Sequence, residues 1–172
     1  MHFIYFNSFK NKIFIFIIIM DLSLPQFYNR IGSKTKQKKI IYELMPNDFK
    51  TYIEPYVGGG SIMLGYSFKP NTKIIINDLD KVLIKNWRSL KDPPSMINAE
   101  KYNINNLDKL RDIVNSTGGD NLKNFVRNLI ISNNTFSSTG YGKIYKKTNP
   151  YNRLKNVPKY KEKLKNVVIL NQ

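Results

Sequence analysis

Residues 52–61 read YIEPYVGGGS, an apolar approach carrying an acid and a proline that runs into three glycines and a serine. Tyr52 to Val57 has the character of a short buried strand, and Ser61 to Phe68 resumes at helical spacing. Gly58, Gly59 and Gly60 therefore fall at a strand-to-helix turn, where bare backbone approaches a ligand closely and helix amides face it. The next strand is KIIIN, Lys73 to Asn77, a continuous apolar run of the kind a parallel sheet buries on both faces. Leu79 to Leu90 then carries Val82, Leu83, Asn86, Trp87 and Leu90 at helical spacing and closes on Pro93-Pro94. Strand, helix, strand, helix predicts a doubly wound α/β unit.

Two acids flank the glycines. Glu54 precedes the turn, and Asp78 ends the second strand at about the 20-residue offset where an acid meets a ribose hydroxyl pair. A Walker-type phosphate loop is excluded, because no Gly-Lys-Ser/Thr ending follows. An NAD-type dinucleotide fold is the alternative, although position 63 is Met where that fingerprint has its third glycine. Glycine backbone and a ribose-binding carboxylate point to a dinucleotide or S-adenosylmethionine.

Outside this unit, Ser33 to Leu44 reads as a helix capped by Ser33, with Ile40, Ile41 and Leu44 on one face and Pro46 beyond its end. Leu107 to Val114 and Leu122 to Ile131 read as helices separated by Gly118-Gly119. The polar stretch SNNTFSSTGYGKIYKKTNPYN (132–152) is a long loop of the kind that carries function. Pro158 to Lys165 reads as a helix and Val167 to Leu170 as a final strand.

The 172 residues suit one domain, and a formal charge of +16 draws the chain to polyanions, nucleic acid first. The cations cluster at Arg30 to Lys39 and again from Lys143 to Lys165, where tyrosines are interleaved as stacking faces. With no cysteine and His2 as the one histidine, a zinc centre or a histidine base is excluded. The run IFIFIIIM (13–20) falls short of the roughly 20 residues a membrane span needs, and no small-residue cleavage site follows it. Met20 is read as the true or alternative start, the protein as intracellular, and no membrane partner is expected.

Three motifs, IGSK (31–34), EPYVGGGS (54–61) and NDLD (77–80), resemble in order and distance the N-terminal signature of Dam-type DNA adenine-N6 methyltransferases, a family with viral and phage members. The resemblance runs from about Tyr28 to the C-terminus. It implies a partial doubly wound, Rossmann-like S-adenosylmethionine methyltransferase sheet with an inserted helical DNA-recognition region. The implied organisation is an appendage over 1–27, a cofactor half over 28–91, a target-recognition region over 92–166 and the start of a further strand over 167–172.

By the same resemblance, Arg30, Lys34, Glu54, Pro55, Gly58, Gly60 and Asp78 bind S-adenosylmethionine, with Glu54 near its ammonium and Asp78 on its ribose. Double-stranded DNA is the implied partner, contacted by Asn134, Ser137, Ser138, Tyr141, Lys143, Lys146 and Lys147. The family's Asp-Pro-Pro-Tyr tetrapeptide, which holds the target amine and stacks the flipped base, is absent from this sequence. Asp92-Pro93-Pro94-Ser95 stands too near Asp78 to lie on the later strand that should carry it, and Ser95 offers no ring. It reads as a helix terminator, and no catalytic residue is assigned. In the family the tetrapeptide follows a segment similar to VVILNQ (167–172). The expectation is an enzyme of this kind whose methyl transfer needs a complementing C-terminal fragment, or else a catalytically silent DNA- or cofactor-binding remnant.

Overall fold

Three short parallel strands, β1 (Thr51–Glu54), β2 (Lys73–Ile76) and β3 (Val167–Ile169), lie in the order β1-β2-β3. The structure is a computed structural model that describes residues 23–95, 97–116, 118–134 and 148–172. Register aligns Tyr52 with Ile74 and Val167, Ile53 with Ile75 and Val168, and Glu54 with Ile76 and Ile169. Because side chains alternate across a strand, the first and third rows share one face and the middle row takes the other. Ile76 and Val167 are buried, whereas Ile53 is 58% and Val168 41% exposed. The expected parallel sheet is present, and its helices cover one face among the described residues.

The helices are α1 (Lys38–Leu44), α2 (Lys81–Lys91), α3 (Leu107–Asn115), α4 (Asn121–Asn134), α5 (Tyr151–Leu154) and α6 (Val157–Leu164). Short 3-10 turns occupy Lys34–Lys36 and Ala99–Tyr102. Asp80 caps α2, its Oδ1 accepting the Val82 and Leu83 amides at 3.0 Å each, which satisfies two of the donors a helix start leaves open. The helix ends at Lys91, with the Asp92 amide bonded to the Arg88 carbonyl. Asp92-Pro93-Pro94-Ser95 is thus a helix terminator, as read from the sequence.

Two local expectations give way to tertiary contacts. Ser61 to Phe68 is a series of turns instead of a helix. Its carbonyls are claimed from outside: Tyr42 Oη donates to Ile62 at 3.0 Å, the Leu24 amide to Leu64 at 2.8 Å and Ser23 Oγ to Gly65 at 3.0 Å. Ser33 makes no cap bond, since its hydroxyl donates to Gln26 Oε1 at 2.5 Å, and the α-helix starts only at Lys38.

Residues 24–29 form a strap through the core. Phe27 and Tyr28 are buried, with edge-on ring contacts from Phe27 to Tyr28 and Tyr160 and from Tyr28 to Trp87. Leu24 and Phe27, on the N-terminal side of the boundary expected after residue 27, belong to the core, where burial of their apolar surface is favourable. One hydrophobic cluster runs from Leu24 through Trp87, Val126 and Tyr160 to Val167, so the regions read as cofactor half and recognition region share a core.

Trp87 is fully buried on α2, where it touches Tyr28 and donates its indole N–H to the Gly58 carbonyl at 3.0 Å. Trp87→Ala should destabilise the fold by about 3–5 kcal/mol, read as a lower urea midpoint, the range for removing a large buried aromatic.

Candidate cofactor site

The three glycines have three different reasons. At Gly59 a side-chain carbon would overlap the Tyr28 carbonyl oxygen of the strap, and at Gly60, where φ is +73°, it would fall 2.5 Å from the Trp87 ring. Gly58 has φ of +48° and open space beside it, with no atom within 4 Å of the position a side chain would take. The close approach expected of a ligand is made by the protein itself at Gly59 and Gly60. Gly58 is the position left facing outward.

Asp78 meets the loop there. Its Oδ2 accepts the Gly58 amide at 3.0 Å and its Oδ1 accepts the Asp80 amide at 3.0 Å. Since Asp80 caps α2, Asp78 is not spent on that task, and each of its oxygens keeps a further lone pair. Arg30 lies close by, Nη2 being 2.5 Å from Asp80 Oδ2. Burial works to raise the Asp80 carboxyl, but bonds from the Leu83 amide and the Arg30 guanidinium outweigh it and hold the group below its ordinary value.

Glu54 lies on the covered face of the sheet, beside Ile76 in register. It accepts the Tyr52 hydroxyl at 2.8 Å and a backbone bond from Met63, and so ties β1 to the turn after the glycines. Burial pushes its carboxyl up from 4.5 to about 7 despite those two bonds, which act to lower it. Pro55 is exposed, and its carbonyl accepts Asn77 Nδ2 at 3.1 Å. Lys34 is exposed at the start of its 3-10 turn. The structure therefore brings Gly58, Gly60, Asp78 and Arg30 together around the loop, places Glu54 beneath it and leaves Lys34 at the surface.

Among the residues expected to touch DNA, Ser137, Ser138, Tyr141, Lys143, Lys146 and Lys147 lie outside the described residues. Asn134 is described: it is 1% exposed, donates Nδ2 to the Ile130 carbonyl at 2.8 Å and accepts the Thr148 amide at 2.6 Å.

Several residues that shape the site were not singled out for it. Asp80 and Tyr28 hold Arg30 and Gly59, while Asn171 Nδ2 donates to the Asp78 carbonyl at 2.7 Å and Asn77 bonds both Pro55 and Gln172. An acid just before an apolar helical run is a capping signal, so Asp80 could have been found. The strap and the two asparagines act through contacts between residues distant in sequence, which local pattern does not encode.

The raised Glu54 carboxyl has a stability consequence. Below pH 4.5 both folded and unfolded chains carry its proton and the contribution is fully present; between 4.5 and about 7 only the folded chain retains it, so stability falls as pH rises through that window. Glu54→Gln should flatten that slope in urea unfolding curves taken from pH 4 to 8.

A model of the D12 class N6 adenine-specific DNA methyltransferase family matches residues 31–124, more than half of the 172-residue chain. Type II methyltransferase M1.LlaDCHI of Lactococcus lactis subsp. cremoris is 32% identical over 76 residues, covering 44% of this chain and 26% of that protein. The match thus spans about a quarter of the length of that curated relative. The family match begins beside Arg30 and takes in the glycine loop, Asp78 and α2, and the chain belongs to the D12 class N6 adenine-specific DNA methyltransferase family.

Proposed function

We propose that the chain binds S-adenosylmethionine at the glycine loop and serves adenine-N6 methylation of double-stranded DNA. The observation that carries this reading is the Asp78 carboxylate, bonded to the Gly58 amide on the open side of the loop with lone pairs to spare. Those lone pairs suit the two ribose hydroxyls, and the bare Gly58 backbone admits a ligand against it. Arg30 holds the Asp80 turn, Trp87 fixes the Gly58 carbonyl, and Glu54 sets the loop from beneath and, once ionised above about 7, takes the cofactor's ammonium. Lys34 contributes from the rim. The cofactor supplies a methyl group activated as a sulfonium; these residues bind and orient it.

A second reading has its own support. Asp92, the nearest sequence counterpart of the catalytic acid, is the C-cap of α2, followed by two prolines and a serine with no ring to stack a base. On this ground residues 1–172 bind cofactor and DNA, and Asp92 does not serve as the catalytic acid.

Calorimetric titration with S-adenosylmethionine tests the pocket. Asp78→Asn keeps the side chain's shape and removes its charge, and should weaken binding at least about tenfold, the scale of one charge-assisted hydrogen bond. Unchanged affinity, or no binding by the unmodified chain, would sink the pocket. Transfer of labelled methyl to adenine-containing duplex should be undetectable with this polypeptide alone; measurable transfer would overturn the second reading and leave the first.

A further inference from the structure

A groove of about 770 Å³ runs between the strap and the α5–α6 segment, remote in sequence from the glycine loop. Lys155 and Lys159 line it together with the amides of Asn152 and Asn156, and both lysines are exposed. Arg153 forms its inner wall, fixed by Nη1 bonds to the Gln26 and Phe27 carbonyls at 2.9 and 2.6 Å and by an Nη2 bond to Asn29 at 3.3 Å. All of those acceptors except the Asn29 amide are backbone carbonyls, and none is an acid, so the guanidinium keeps its full charge at the wall. Ion pairs among the described residues join Arg30 to Asp80 and Arg111 to Asp108, neither in this groove. Glu162 is the one acid after Asp120, and it lies in a separate depression with Lys161 and Lys165.

A concave surface carrying three cations and no acid among its lining residues is a site for an anion. We infer that this groove holds the phosphodiester backbone of duplex DNA, with Lys155 and Lys159 on successive phosphates and Asn152 hydrogen-bonding beside them. The choice of duplex DNA rests on the function proposed above. The lining itself disfavours a lipid surface, since an interfacial site needs large apolar side chains to insert. The exposed large apolar residues, among them Ile53, Tyr56, Leu79 and Val82, do not line the groove.

Contacts of this kind position a protein on DNA without reading sequence, and they release counterions. The groove is lined in part by the strap, whose Tyr28 carbonyl packs against Gly59, so backbone held there is positioned relative to the glycine loop.

The test is a fluorescence anisotropy titration of the full chain with a labelled duplex from 50 to 200 mM salt. Lys155→Ala/Lys159→Ala should make the slope of log affinity against log salt shallower by about 2, close to 1 for each phosphate contact removed. A charge-matched control, Lys69→Ala/Lys73→Ala, alters exposed lysines outside the groove and should keep the original slope. An unchanged slope for the groove pair, or equal loss from both pairs, overturns the inference even if the unmodified chain binds DNA and cofactor. No DNA binding by the unmodified chain at 50 mM salt would instead remove the DNA reading on which the inference rests. Retention on anionic vesicles in preference to duplex, abolished by the groove pair, would reassign the groove to membrane and overturn it as well. Urea midpoints matching the unmodified chain exclude misfolding as the cause.

Discussion

The site depends on a backbone carbonyl lying where a side chain would otherwise be. Tyr28 presents its oxygen to Gly59, and Trp87 places its ring against Gly60, so two of three consecutive glycines serve as contact surfaces for the protein's own core. That packing fixes the turn after β1 in a left-handed conformation only glycine adopts without strain. It also turns Gly58 and its amide toward Asp78. The strap shares the loop with Trp87 and Asp78, which hold the Gly58 carbonyl and amide.

The strap is in turn held from the far side. Arg153 bonds its carbonyls, Tyr160 Oη donates to Pro25 at 3.0 Å, and Tyr28 Oη reaches the Asn86 carbonyl on α2 at 3.0 Å. Residues from α2 and from the α5–α6 segment therefore converge on one short extended segment. The buried phenol of Tyr28, its ionisation pushed well up by burial, is neutral throughout the ordinary pH range and acts as a fixed donor.

Much of this was legible in the sequence. Apolar runs and their spacing located the three strands of the described residues and the axis of α2, while the bond between the Gly58 amide and Asp78 at 3.0 Å was not foreseen. Misreadings arose wherever a polar group had a stronger partner far along the chain. Ser33 left its cap for Gln26, and the carbonyls after Ser61 were taken by Tyr42, Ser23 and Leu24. Capping and helix rules count only neighbours, so they assign such groups to the nearest available bond. The role of Asp80 was available by those rules; the duty of residues 24–29 was not, because an aromatic-rich extended stretch has no periodicity to betray burial.

The row of Ile53, Ile75 and Val168 crosses the sheet from β3 to β1, whose outer side is a free edge among the described residues. A further strand joining that edge in parallel would inherit the sheet's parity, one residue in two directed to the side of Glu54 and Ile76 and the others to the side of Ile53. Its carboxyl end would emerge level with Pro55 and Gly58, beside the loop. The geometry of β1 thus acts as a ruler: it sets in advance both the alternation and the point of arrival of any segment that extends the sheet at that edge.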